Sequence, residues 1–209
     1  TNAAVTLIGM CGRSGSGKTY VAGIFKEYGI PSLDLDRVYH DMTSASADNA
    51  CIRELAAAFG PNAINPDGSL NRSYVSSVVF GDKTGEELGV LNRITHRHIL
   101  AKTKEICDSL AANGEKIIIL DAPTLFESGA DKMCAYTLCV VADDEERINR
   151  ICLRDGIPEE KARLRLASQI TDSELIDRCD FIVPNIGNDG DTRRAILNII
   201  NTVKSELDI

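Results

Sequence analysis

The chain has 209 residues, 44% hydrophobic and 26% charged, enough to bury a sizeable core in one domain. Its formal net charge of −8 disfavours a broad nucleic-acid surface, because a phosphate backbone requires clustered Lys and Arg. No apolar run approaches the roughly 18 residues that span a bilayer, and no basic-then-apolar segment opens the sequence. The expectation is a cytoplasmic protein acting on a small molecule, with neither a membrane nor a nucleic acid as partner.

The first predicted element is a strand over Val5 to Met10. It leads into residues 12 to 19, Gly-Arg-Ser-Gly-Ser-Gly-Lys-Thr, which fill every fixed position of the phosphate-binding loop G-x-x-x-x-G-K-[ST]. Gly12, Gly15 and Gly17 let the backbone turn its N–H groups inward at a polyphosphate, and a helix starting near Gly17 adds the positive end of its dipole. Lys18 reaches the terminal phosphates, and the Thr19 hydroxyl offers one oxygen to a magnesium ion.

A second strand, Ser32 to Leu35, carries Asp34 and Asp36 at its end, where an i, i+2 spacing aims both carboxylates to one side. A carboxylate there suits the general base for a hydroxyl attacking a γ-phosphate. For Asp36 the competing role is N-cap of a helix starting at Arg37, and the two roles can coexist.

A long helical stretch, about 36–113, follows, with breaks at Gly60-Pro61, Pro66-Asp67-Gly68 and Gly81-Asp82. It exceeds one crossover and is either an acceptor-binding insertion or structural. His96 and His98 form an H-x-H pair without a third ligand of obvious spacing, which favours helix surface or acceptor contact over metal. The third strand, Lys116 to Leu120, ends at Asp121, at the strand edge where open α/β sheets bind ligands, and Asp121 can hold magnesium through water.

After a fourth strand, Tyr136 to Val141, Arg147, Arg150 and Arg154 share one helix face, and Arg163 and Arg165 follow in the next helix. Hinged near Asp155-Gly156 and ending at a capping box from Thr171 to Glu174, this pair reads as a closing lid or as a solvated face paired with Asp143, Asp144, Glu145, Glu146, Glu159 and Glu160. The solvated face is favoured for the full set, and phosphate binding for Arg150 and Arg154. Phe181 to Val183 is the fifth strand. The seven cysteines, at 11, 51, 107, 134, 139, 152 and 179, include no C-x-x-C pair and read as reduced thiols, those in or beside apolar segments behaving as small hydrophobes.

These segments, in this order, resemble the dephospho-coenzyme A kinases of the P-loop kinase superfamily. Leu7 to Thr19, Gly29-Ile30-Pro31 and Asp34-Leu35-Asp36 look like that family's opening, with Asp36 at its proposed base. Phe59-Gly60, Asp67-Gly68-Ser69-Leu70-Asn71-Arg72 and Val79-Phe80 resemble its coenzyme-binding insertion, and Leu91 to His96 its helix carrying His-Pro. Pro123-Thr124-Leu125-Phe126-Glu127 resembles its Pro-Leu-Leu-Phe-Glu, while Arg150, Arg154-Asp155-Gly156, Arg165 to Gln169 and Asn185-x-Gly187 are similar to its lid and adenine-side segments.

The resemblance implies an α/β P-loop kinase fold in a single domain, 1–209. Its five-stranded parallel sheet flanked by helices would comprise 5–35, 115–142 and 180–205, with a helical acceptor-binding insertion over about 36–113 and a helical lid over about 143–170. The implied reaction is transfer of the ATP γ-phosphate to the ribose 3′-hydroxyl of dephospho-coenzyme A, with ATP and Mg2+. Asp36, Lys18 and Arg150 are the implied catalytic residues, and Gly12, Ser14, Gly15, Ser16, Gly17, Lys18, Thr19, Tyr20, Arg150 and Asn185 the implied ATP site. Asp34, Asp36, His40, Arg72, Phe80, His96, Pro123, Phe126 and Arg154 fall to the acceptor, and Thr19 and Asp121 to the metal.

Departures from the family pattern fall mainly on the acceptor side. His40 stands where the family has arginine, Arg97 follows His96 in place of proline, Thr124 replaces leucine and Leu175 replaces lysine. They motivate a second reading, another small-molecule or nucleotide kinase on the same framework. A nucleotide-dependent switch without an acceptor is a third; the absence of N-K-x-D argues against a GTPase, and Asp-x-Asp with an Arg-rich lid argues for transfer.

Overall fold

The computed structural model describes residues 5–45 and 50–209; part of the expected insertion, 46–49, and the start of the chain, 1–4, lie outside them. Strand β1, Thr6–Cys11, is buried at all six positions, as a central strand covered on both faces requires. It is followed by α1, Lys18–Glu27, and β2, Ser32–Asp34. Four helices come next: α2, Leu35–Met42; α3, Ala50–Phe59; α4, Arg72–Gly81; and α5, Glu86–Ala112. Strands β3, Ile117–Asp121, and β4, Tyr136–Val141, precede α6, Asp144–Asp155; α7, Glu159–Ala167; and α8, Asp172–Ile176. Strand β5, Phe181–Pro184, and α9, Asp189–Glu206, complete the order.

The strands form one five-stranded parallel sheet in the order β2-β3-β1-β4-β5. All five expected strands are present within a residue of their expected ends. β1 lies centrally, with Met10 in register with Asp121 of β3 and Cys11 with Cys139 of β4. The chain therefore leaves β1 into the glycine loop beside the end of β3, on the carboxyl edge of the sheet, where open α/β sheets place their ligands.

The chain divides into two compact units, 1–33 with 114–209, and 34–113. In the first, Val21, Ile24 and Phe25 of α1 and Ile196, Ile199, Ile200 and Val203 of α9 recur at helical spacing and pack with Ile8, Met10, Ile119, Leu138 and Val140 in one core cluster. In the second, Cys51, Leu55 and Phe59 of α3 close with Leu70, Val75 and Val79 over a separate cluster. The expected breaks at Gly60-Pro61 and Gly81-Asp82 fall at the ends of α3 and α4. No helix among the described residues is long and apolar enough to cross a membrane.

Arg147 corrects the solvated-face reading of α6. Its side chain is 0% exposed, with Nη1 2.9 Å from Asp144 and Nη2 2.5 Å from Asp172 at the start of α8. A guanidinium this deep is tolerated because two carboxylates neutralise it, and those carboxylates are themselves partly solvated. The solvated reading holds for the neighbours: Arg163 pairs with Glu145 and Glu159 at the surface. Replacing Arg147 by Ala removes a buried ion pair and opens a cavity, and the expected loss of unfolding free energy is about 3 kcal/mol, read by urea titration; a change below about 0.5 kcal/mol would contradict a structural role for the pair.

Candidate active site

The glycine loop is shaped by bonds to its carbonyl groups. Lys18 Nζ donates to Gly12 O at 3.2 Å, Arg150 Nη1 to Gly15 O at 3.1 Å and Ser16 O at 3.4 Å, and Asn185 Nδ2 to Ser16 O at 2.8 Å. Gly17 is the N-cap of α1, with φ of 91°, so the first helical amides and the loop share one anion-binding end. Gly15, at φ 75°, admits no side chain: a Cβ there would lie 2.6 Å from Arg147 O. Ser16 is fully buried, and its hydroxyl has no hydrogen-bond partner among the described residues. Thr19 is exposed beside Lys18 on the first turn of α1. Tyr20, expected on the nucleotide, has its hydroxyl on Asp189 at the start of α9.

The segment after α7 reaches back to the loop. Gln169 Oε1 accepts from the Ser14 backbone N–H at 3.0 Å, and its Nε2 donates to Ser14 Oγ at 2.9 Å. Arg13 donates through Nη2 to Leu166 O at 2.6 Å, with Nη1 3.4 Å from Asp144. Thus one loop amide is held by a side-chain amide that an incoming oxyanion can replace. Arg150 also pairs with Glu146 at 2.7 Å, so its fork joins the loop to α6.

Arg154, placed with Arg150 on one face by spacing, engages Asp155 instead, at 2.6 Å. Arg165 joins the same carboxylate, and the two guanidinium groups hold the Asp155 carboxyl well below the usual carboxylate range. The expected hinge is therefore a clasp around Asp155, with Gly156 left-handed at φ 63° beside it. The capping box at Thr171 and Glu174 is present as expected.

The acidic pair after β2 is divided between two roles. Asp34, not Asp36, is the N-cap: its Oδ1 accepts from Asp36 N at 2.9 Å and Arg37 N at 3.3 Å. The helix begins at Leu35, two residues ahead of the expected start, so Asp36 sits in its first turn and strand geometry no longer relates it to Asp34. A carboxylate in the first turn is stabilised as an anion by the helix dipole.

In the same unit Arg72 bonds His40 Nδ1 at 2.8 Å, His40 O at 3.3 Å and Thr43 Oγ1 at 2.6 Å, and covers the Tyr39 ring at 5.5 Å. The predicted acceptor residues His40 and Arg72 are thus brought together, on α2 and α4. Phe80 is 79% exposed on α4. His96 and His98 are half-buried on α5, two residues apart and so on different sides of the helix; His98 faces Glu54 at 3.1 Å, and Arg97 pairs with the same carboxylate.

In the sheet-bearing unit, Asp121 ends β3, and Pro123 and Phe126 follow, the Phe126 ring lying 3.9 Å under the Arg178 guanidinium. Sequence reasoning passed over Arg178, Arg13 and the Gln169–Ser14 pairing. The first two carry only a charge as signal. Gln169 stands in the lid segment, but its partner is 155 residues away. Leu175, where the family carries lysine, is buried at 4% exposure on α8.

The sequence matches the dephospho-CoA kinase family over residues 6–191. It is 35% identical over 191 residues to the dephospho-CoA kinase of Moorella thermoacetica, covering 91% of this chain and 88% of that one. To the Geobacillus kaustophilus dephospho-CoA kinase it is 33% identical over 193 residues, covering 92% and 94%. A Thermus thermophilus protein of known crystal structure superposes with a TM-score of 0.77 at 27% identity, covering 95% of this chain and 97% of that one. The chain belongs to the dephospho-CoA kinase family, kinases that use ATP and catalyse the last step of coenzyme A biosynthesis.

Proposed function

We propose that this chain transfers the ATP γ-phosphate to the ribose 3′-hydroxyl of dephospho-coenzyme A through the residues placed above. The observation that carries the assignment is the glycine loop, complete in sequence and clamped through its carbonyls by Lys18, Arg150 and Asn185. With the carbonyls engaged, the remaining loop amides, joined by that of Ser14 once Gln169 is displaced, serve an oxyanion, and phosphoryl transfer needs chiefly positioning and charge stabilisation. Lys18 exchanges Gly12 O for the β- and γ-phosphates. Arg150 exchanges loop carbonyls for the charge developing on the transferred group, a charge-assisted bond in place of a neutral one. The loop glycines with Ser14, Ser16 and Thr19 bind the triphosphate, and Asn185 holds the loop from the adenine side.

Thr19 and Asp121 would hold Mg2+ through hydroxyl and carboxylate oxygens, the donor type that ion prefers. When bound there, the ion would supply charge neutralisation for phosphoryl transfer. Asp36 receives the proton of the acceptor hydroxyl, and Asp34 orients it by fixing its backbone as N-cap. We assign the acceptor to the 34–113 unit, where Arg72 supplies a guanidinium beside His40, in place of the arginine the family carries there. The Phe126–Arg178 stack and Arg154 complete the anion-binding candidates, and the cytoplasm is the assigned compartment.

The decisive assay measures ADP release with ATP and Mg2+, with and without dephospho-coenzyme A, together with mass detection of the product. Acceptor-dependent ADP and a product one phosphate heavier are expected. ATP consumption indifferent to this acceptor but dependent on another hydroxyl compound would redirect the assignment to a different small-molecule kinase.

Asp36→Asn is expected to leave ATP affinity near wild type while turnover falls on the order of 10²- to 10⁴-fold; undiminished turnover removes Asp36 from the mechanism. Lys18→Ala is expected to abolish transfer without changing nucleotide-free thermal unfolding, and retained transfer would contradict the phosphate-loop assignment.

A further inference from the structure

Three of the seven cysteines converge beside the glycine loop. Cys11 is the last residue of β1 and stands in register with Cys139 of β4, and Cys179 enters from the turn between α8 and β5. Cys11 Sγ lies 3.6 Å from Cys179 Sγ. Cys11 and Cys139 are buried at 1% and 0% exposure, whereas Cys179 is half-buried, so the pair has one inner and one reachable member. None of the seven cysteines is in a disulfide, and the expected role of cysteine as a small hydrophobe accounts for Cys139. It does not account for two sulfurs within reach of each other at the entry of a ligand-binding loop.

We propose that Cys11 and Cys179 are an oxidisable dithiol, which peroxide closes to a disulfide and which thereby weakens nucleotide binding at the adjoining loop. The direction of proton sharing fits. Hydrogen bonds from Cys11 and Cys139, and to a lesser degree Thr137, hold the Cys179 thiol well below its ordinary range against the effect of burial, while Cys139, Cys179 and burial push Cys11 up. The nucleophilic thiolate is then the half-buried one.

Its sulfur attacks one oxygen of hydrogen peroxide; the S–O bond forms, the O–O bond breaks, and the departing hydroxide takes up a proton as water, leaving Cys179 as sulfenic acid. The Cys11 sulfur then attacks the Cys179 sulfur. The S–S bond forms, the S–O bond breaks, and a second water leaves with the Cys11 proton. Two thiols are oxidised by two electrons, and one peroxide is reduced to two waters.

Closing the bond brings the sulfurs to about 2.05 Å, an approach of roughly 1.5 Å from their separation here. The loop has little room to absorb such a shift. Cys11 is bonded to Gly12, and a Cβ on Gly12 would lie 2.7 Å from both Ser16 Oγ and Val140 O, so the loop entry is already in close contact with β4. Displacement by an ångström at a positioning element is enough to weaken what it positions.

The test treats the full chain with hydrogen peroxide and reads intact mass, the cross-linked peptide and ATP affinity by calorimetry, so that the result does not depend on the identity of the acceptor. The expected outcome is loss of two hydrogens, a Cys11–Cys179 peptide, ATP affinity reduced roughly tenfold or more, and recovery with dithiothreitol. Cys179→Ser should bind ATP as the untreated protein does and keep that affinity after peroxide; Cys179→Ala, with thermal unfolding measured alongside, serves if the serine variant fails to fold. Seven free thiols after treatment, a linkage between other cysteines, a Cys11–Cys179 disulfide with unchanged ATP affinity, or equal loss in the Cys179 variants would each overturn the proposal.

Discussion

A loop that is to offer its backbone N–H groups to an anion must be held in shape by something other than those N–H groups. Here much of the shape comes from the carbonyl side: Lys18, Arg150 and Asn185 bond the oxygens of Gly12, Gly15 and Ser16, while the Ser14 and Ser16 amides are bonded within the protein. Each clamp belongs to an element that the sheet core fixes. Lys18 opens α1, whose Val21, Ile24 and Phe25 are in the main core cluster; Arg150 belongs to α6, anchored one turn earlier by the buried Arg147; Asn185 follows β5 and bonds Val141 O at 2.8 Å. Positioning at the loop is therefore as firm as the packing beneath it, which is what catalysis by orientation demands.

Charge is arranged on the same plan. The chain carries eight excess negative charges, yet Arg13, Lys18, Arg147 and Arg150 gather around the loop. Long-range attraction of an anionic nucleotide is thus weak, and affinity must come from contacts made within a Debye length. Arg147 is spent on Asp144 and Asp172, and Arg13 on Asp144 and Leu166 O, so their part is to hold α6 and the segment after α7 against the loop. Lys18 and Arg150 bond neutral carbonyls, which they can leave for charged oxygens with a gain in strength.

The sheet was legible because a parallel strand covered on both faces must be a continuous apolar run, and Ile117 to Leu120 or Tyr136 to Val141 can hardly be read otherwise. The loop was legible because its glycines and Lys18 act through local backbone geometry. Asp36 was misplaced by two residues because Leu35 suits a strand as well as a helix, and only the hydrogen bonds of Asp34 decide where α2 starts. Arg147 was misread for a different reason. Its helical spacing with Arg150 and Arg154 says they share a face, while burial is decided by Asp172, 25 residues onward. The Gln169–Ser14 and Cys11–Cys179 pairs depend on longer separations still, which no local pattern encodes.

The segment after β4 shows how one helix face serves three ends. Arg147 is buried and doubly ion-paired, Arg150 is shared between Glu146 and loop carbonyls, and Arg154 is exposed and taken by Asp155. The gradient runs outward along α6, from structural anchor through exchangeable contact to solvated pair. Arg150 is the member able to change partners at small cost, because its Glu146 pair is half-exposed and such pairs contribute little. Arg154 would have to leave a carboxylate that Arg165 also holds. Since Arg165 belongs to α7, pulling Arg154 toward phosphate would disturb the junction between α6 and α7 as well. Any movement of α6 and α7 would therefore carry the Asp155 clasp along as a unit.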